Sequence, residues 1–135
     1  MQKLQTQWIV GFTDGEGCFF IGINKNSTMK QGLQILPEFT IVQHKKNIQT
    51  LYALKDYFQC GVVRTNHGDR MCYRVRGQKN LVNQILPFFE KHPLKTTKQI
   101  DFKKFRRVVL MIEQKQHLNE DGISKIRKIK NCMNL

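Results

Sequence analysis

Trp8-Ile9-Val10-Gly11-Phe12-Thr13-Asp14-Gly15-Glu16-Gly17-Cys18 is the stretch whose reading decides the fold. Leu4, Trp8 and Gly11 or Phe12 recur at three- and four-residue spacing, the period of a helix. Between Trp8 and Phe12 the apolar residues run nearly all the way round, which predicts a helix covered on more than one side. Gly11 and Gly15 stand four apart and share a face. Glycine weakens a helix interior, so a bare stripe is expected where another backbone comes close. Asp14 and Glu16 fall at the C-terminal end, where the helix dipole is negative and acids are misplaced unless a cation offsets them. The stretch reads as a close-packed helix that delivers acids to a metal site. The plainer reading is a helix C-cap, with Gly15 and Gly17 as terminators and both acids solvated.

Past Gly17 the period becomes that of a strand. Phe19, Ile21 and Ile23 alternate with Phe20, Gly22 and Asn24. Asn24 to Gly32 is polar and reads as a long hairpin tip. The return strand sets Leu33, Ile35, Phe39 and Ile41 against Gln34, Leu36, Glu38 and Thr40, and Pro37 suggests an edge or a bulge. Gln43-His44-Lys45-Lys46 leads into a helix from about Asn47, with Ile48, Leu51, Leu54 and Phe58 as its stripe and Cys60-Gly61 as its stop. A second hairpin turns at His67-Gly68-Asp69. In its return strand Met71, Tyr73 and Val75 alternate with Arg70, Cys72, Arg74 and Arg76. Leu81, Val82, Ile85 and Leu86 mark a short helix, and Pro87 is expected to start another turn bearing Phe88 and Phe89. Thr96-x-x-Gln99 reads as a capping box for a helix carrying Phe102, Phe105, Val109 and Ile112. Ile123, Ile126 and Ile129 line a last, basic helix. The order α-β-β-α-β-β-α, with further helices, predicts an α+β domain whose four-stranded antiparallel sheet has helices on one face and a polar, basic other face.

The 135 residues are expected to form one domain over 1–135, large enough to bury a core. Twenty-three basic against ten acidic residues give a net charge of +13, which points to a polyanion, nucleic acid before an anionic membrane surface. No apolar run approaches the ~20 residues of a membrane span. The polar residues before the motif argue against a signal peptide, and their number against a transit peptide. Cys18, Cys60, Cys72 and Cys132 form no CxxC pair and read as reduced thiols of an intracellular or organellar protein, not as zinc ligands.

The polar sheet face carries residue types that read base edges, Arg to guanine, Asn and Gln to adenine, Glu to cytosine. The first hairpin offers Asn24, Asn26, Thr28, Gln34, Glu38 and Thr40. The second offers Arg64, Asn66, Arg70, Cys72, Arg74 and Arg76. A two-stranded ribbon fits the major groove, and two ribbons make a longer saddle on double-stranded DNA. Lys25, Lys30, His44, Lys45 and Lys46 lie at tips and strand ends, where phosphate contacts position without specifying.

The pattern W-I-V-G-F-T-D-G-E-G-C-F resembles the motif of the LAGLIDADG homing endonucleases, with Ile9 to Gly15 on the name-giving residues and Glu16 on the metal-binding acid. The likeness covers most of the chain. Thr40-Ile41-Val42-Gln43 before a helix resembles the family's strand end. His92 to Phe102 resembles its P-L-x-T-x-K-x-x-D-F stretch, and Gly122 to Ile126 with Met133-Asn134 its C-terminal G-L-x-K-I…M-N stretch.

Phosphodiester hydrolysis needs a nucleophilic water and relief of charge on the phosphorane and leaving oxygen, both of which a hard divalent ion supplies. Glu16 is the better ligand, the Gly15 carbonyl a further oxygen, and Asp14 a cap or support. One acid is thin coordination. Two helices packed through Gly11 and Gly15, flanked by Trp8 and Phe12, would bring two Glu16 side chains together in a symmetric dimer. Gln43 and Lys98, with Lys95 as second choice, are candidates to order water or polarise the phosphate.

The resemblance implies that the Glu16 position binds metal, that the Gln43 position orders water, and that a lysine in the Lys95–Lys98 region completes the site. It implies Mg²⁺, with Mn²⁺ substituting and Ca²⁺ allowing binding without cleavage. It further implies a homodimer that cuts long pseudo-palindromic sites, leaves 3′ overhangs and is encoded in an intron of a chloroplast or mitochondrion. The alternative is an RNA maturase or a non-cleaving DNA-binding protein on the same scaffold, with intron RNA as a possible partner. Neither alternative needs Glu16.

Overall fold

In the computed structural model, which describes residues 3–135, helix α1 (Thr6–Glu16) passes into strand β1 (Gly17–Lys25) with no loop between them. Gly17 permits this junction, since a Cβ there would stand 2.7 Å from Thr13 Cγ2 and 2.9 Å from the Thr13 carbonyl oxygen. Its N–H donates to that carbonyl and closes the helix. Ile9, Val10 and Thr13 form the buried face of α1. Glu16 is therefore held at a fixed helix-to-strand corner.

Strand β1 pairs antiparallel with β2 (Leu33–His44), from Gly17 opposite Ile41 to Lys25 opposite Leu33. The second hairpin is β3 (Val62–His67) with β4 (Arg70–Val75), and the sheet order is β1-β2-β4-β3. Strand β4 pairs with β2 only over Phe39–His44. That explains Pro37. Its partner Ile21 sends its carbonyl outward to Lys130, so Ile21–Pro37 is a non-hydrogen-bonded pair. The proline nitrogen then faces the side β4 does not reach. The edge expected at Pro37 is present on that half of β2, and the bulge is not. The register shift falls instead between Thr65 and His67 on β3.

Helix α2 (Ile48–Phe58) follows a 3₁₀ turn, Lys45–Asn47, and ends on Gln59 in the left-handed region (φ 57°). Pro87 stands in the first turn of a helical segment that bears Phe88 and Phe89, as expected, but the chain reaches that segment without a break. Helices α3 (Gln78–Asn80) and α4 (Leu86–Lys91) are joined by a π turn, Leu81–Ile85, in which the Leu86 N–H donates to the Leu81 carbonyl. Proline has no N–H for the four-residue ladder, and the wider turn absorbs the mismatch without ending the helix. Helix α5 (Lys98–Glu113) and helix α6 (Glu120–Asn131) complete the chain. The capping box expected at Thr96–Gln99 is half formed. Thr96 Oγ1 accepts from the Lys98 N–H at 3.2 Å, but Gln99 Oε1 accepts from the Leu94 N–H at 3.1 Å.

The helices cover one sheet face. Phe19 centres the core, with ring centroids of Phe39, Phe89, Phe102 and Phe105 at 5.1, 5.6, 5.3 and 5.2 Å. These rings bring together β1, β2, α4 and α5. Among the described residues no helix is long and apolar enough to cross a membrane.

Candidate active site and nucleic-acid interface

Asp14 and Glu16 have different fates. The Asp14 carboxylate accepts from the Lys95 N–H at 2.8 Å, the Thr96 N–H at 3.2 Å and the Thr96 hydroxyl at 2.7 Å. Burial pushes its carboxyl up, but these bonds and the nearby Lys98 ammonium outweigh it and hold the group below the usual carboxylate value. Asp14 thus ties the motif helix to the start of α5. Glu16 is exposed and has no ion pair or hydrogen bond among the described residues.

The fold brings two of the other site candidates to this corner. Lys98 Nζ donates to the Gly17 carbonyl, one residue from Glu16. Gln43 lies two residues beyond Ile41, the partner of Gly17, at the end of β2 next to the α1–β1 junction. Its Oε1 accepts from Asn47 Nδ2 at 3.1 Å, which fixes the amide and leaves its own N–H groups free. Asn47 was not singled out in the sequence, where it reads only as a helix start. Lys95 gives its backbone N–H to Asp14, while its ammonium makes no bond among the described residues.

No group of three or more His, Cys, Asp or Glu among the described residues could hold a metal ion. At this corner the described residues present one free carboxylate, Glu16, beside last-turn carbonyls of α1 such as Gly15, which a helix end leaves without ladder partners. These are hard oxygen donors. They suit a small cation that keeps water and phosphate in most of its positions, as half of a site.

The outer face of α1 has no cover among the described residues. A Cβ on Gly11 or Gly15 would meet nothing within 4 Å. Trp8 is 43% exposed and stacks on Phe12 at 4.6 Å beside this stripe. The sequence predicted cover on more than one side, and a single copy supplies only one.

On the sheet face away from the core, the registers align residues in rows. Cys18, Thr40, Arg74 and Val62 share one row, and Val42, Cys72 and Arg64 the next. His44 lies opposite Arg70, and Asn24 opposite Gln34. Burial first, then the like charges of Arg76 and Arg64, lower the Arg74 guanidinium from its usual value.

Several expected base readers are engaged otherwise. Asn26 Oδ1 accepts from the Thr28 N–H at 3.1 Å and from the Thr28 hydroxyl at 2.6 Å, so this pair builds the hairpin tip. Cys72 is only 5% exposed and leaves little surface for a base edge. Lys25 pairs with Leu33 and has core-side parity, although the strand end leaves it exposed. Glu38 accepts from Arg76 Nε at 2.7 Å, and Lys45 pairs with Asp69 at 3.3 Å. His44 Nδ1 accepts from the Lys46 N–H at 3.1 Å. Arg64, Asn66, Arg70, Thr40, Gln34, Asn24 and Lys30 make no side-chain bond among the described residues. Phe20, opposite Glu38 and 41% exposed beneath Lys130, is an apolar feature of this face that the polar count passed over, although its parity placed it there.

Residues 9–109 match the family model of the LAGLIDADG endonucleases. Probable intron-encoded endonuclease 2 of Neurospora crassa is 30% identical over 127 residues, which span 93% of this chain and 26% of the relative. This chain spans about a quarter of the length of this and two other curated relatives it matches. The crystal structure of the homing endonuclease I-TnaI superposes with a TM-score of 0.97 at 54% identity, over 99% of this chain and 90% of that one. The I-SmaMI LAGLIDADG homing endonuclease bound to cleaved DNA superposes at 0.95 with 34% identity, over 98% and 44%. I-SmaMI bound to uncleaved DNA target in the presence of calcium ions gives 0.94, 28%, 96% and 45%. The motif helix, the four-stranded antiparallel sheet and these matches together make the chain a member of the LAGLIDADG endonuclease family.

Proposed function

We propose that the chain is a site-specific DNA endonuclease that works as a homodimer, hydrolyses both strands of a long pseudo-palindromic duplex and leaves 3′ overhangs. The observation that carries this reading is the unpaired Glu16, at a rigid corner beside Lys98 and Gln43 and next to the uncovered Gly11/Gly15 stripe. A free acid at the negative end of a helix destabilises the isolated chain, and a cation removes the cost.

Glu16 and the Gly15 carbonyl from each copy would hold the divalent ion, Mg²⁺ with Mn²⁺ as substitute. The bound ion supplies water activation and charge relief on the phosphorane and leaving oxygen. The calcium ions in the neighbour with uncleaved DNA fit the same hard-oxygen chemistry, and support Ca²⁺ as an ion that permits binding without cutting. Gln43, oriented by Asn47, keeps its N–H groups for water. Lys98 has one N–H on the Gly17 carbonyl and two for a phosphate oxygen. The names of the relatives support an intron-encoded gene, and we place it in an organelle.

The test incubates purified protein with a library of long duplexes and Mg²⁺. Cutting of both strands at one site, with 3′ extensions, is expected. Tight binding of a duplex with no cutting overturns the endonuclease reading and leaves a binding protein on the same scaffold.

A further inference from the structure

Strand β1 is an edge of the sheet, and its odd-numbered carbonyls point outward. Unpaired edge groups need partners or a cover. Three side chains from the C-terminal third of the molecule supply them. Lys98 Nζ takes the Gly17 carbonyl, Asn134 Nδ2 takes Phe19 at 2.9 Å, and Lys130 Nζ takes Ile21. Asn134 also holds α5, because its backbone N–H donates to Asp101 Oδ1 at 3.1 Å. Asp101 and Lys98 are three apart on α5 and share a face. One residue of the tail therefore bridges a β1 carbonyl two positions from Gly17 and an α5 carboxylate three positions from Lys98.

The bridge is built into the fold. Asn134 adopts a left-handed backbone (φ 56°), which asparagine tolerates better than most residues and which persists where surrounding bonds over-determine it. Its neighbour Met133 is buried at 6% exposure, and Lys104 Nζ holds the Cys132 carbonyl at 2.8 Å. On the other side of the site, Asp14 fixes residues 95 and 96. The start of α5 is thus set from two directions.

We infer that Asn134, acting with Asp101, is a positioning residue for Lys98. It sets the spacing of α5 from the edge of β1, so that the ammonium rests on the Gly17 carbonyl beside Glu16. The inference rests on the reading that Lys98 serves cleavage. Asn134 itself touches no reacting atom.

The test compares single-turnover cleavage and DNA affinity of the full chain. N134G keeps the left-handed backbone and the bond to Asp101, and removes only the bond to Phe19. Its cleavage rate should fall about 10- to 100-fold, the order produced by a displacement near 1 Å, with DNA affinity unchanged. D101A should behave alike, while D101N, which keeps the acceptor, should restore the rate. In K98A, N134G should slow residual cleavage no further. A crystal structure of N134G should show the Lys98 ammonium off the Gly17 carbonyl. Wild-type cleavage by N134G, an equal slowing in K98A, failure of D101N to rescue, or an ammonium still seated on Gly17 would each overturn the inference. Should K98A cut at the wild-type rate, the reading of Lys98 itself fails, and that result stands apart from any effect of N134G.

Discussion

Alanine at Gly11 should stabilise the single chain and weaken its self-association, two effects of opposite sign from one methyl group. Gly11 lies inside α1, and the added Cβ meets nothing within 4 Å. In the isolated chain the substitution removes the helical cost of glycine, about 0.8–1 kcal/mol. With about 2.1 cal/mol/K of unfolding entropy per residue, a chain of this length gains about 3 °C in Tm. In the proposed dimer the same stripe faces its own copy, so the methyl enters twice. Overpacking costs about 1–3 kcal/mol per site, or about 2–6 kcal/mol for the pair. That weakens the dimer by about 30-fold to 10⁴-fold. Calorimetry below the dissociation constant reads the first effect, and sedimentation equilibrium over a concentration series reads the second. Unchanged self-association, or a lower Tm in the dissociated chain, would refute the reasoning.

Asp14→Asn should show its largest stability deficit near neutral pH. The folded carboxyl lies below its ordinary value of 3.8, so its contribution is present above that value and is lost as pH falls through the folded pKa. Urea melts from pH 7 to pH 3 should show the deficit closing below about pH 4. Arg74→Ala should lower the slope of log affinity against log salt by about 1 if the guanidinium meets a phosphate; an unchanged slope with relaxed base preference would make it a base reader. Phe19→Ala should cost about 3–5 kcal/mol in a urea melt, because Phe19 contacts four rings from three other elements; a loss below 1 kcal/mol would mean the core is not organised around it.

Much of the fold was legible because strand parity is a strict code. Phe19, Ile21, Phe39, Ile41, Tyr73 and Val75 all bury where alternation put them. Parity also placed Arg64, Arg70 and Arg74 on one face. It does not say what a side chain meets there. Asn26 was spent on its own turn through loop geometry, Glu38 on an arginine 38 residues away, and Cys72 is buried at 5% exposure. Pro87 fell in the first turn of its helical segment as its fixed φ suggested, but local rules do not foresee the π turn that joins this segment to the one before it. At the candidate site, the exposed position of Glu16 at the helix end and that of Gln43 near the end of β2 followed from motif and topology. Lys98 was preferred to Lys95 there, but that its ammonium reaches the β1 edge was not legible, since it depends on how α5 packs against β1. The bridge through Asn134 left no local signal, because its two partners lie 33 and 115 residues away.

The central claim is that each chain carries half of a cutting site and that both copies of Glu16 are needed. The most direct measurement joins two copies through a flexible tether and places Glu16→Gln in one, both or neither. The doubly intact pair should turn a bound plasmid target into linear DNA in Mg²⁺, and both altered pairs should bind that target with undiminished affinity and yield no linear product. Linear product from the singly altered pair at the intact rate, or loss of DNA binding in either altered pair, would contradict the account.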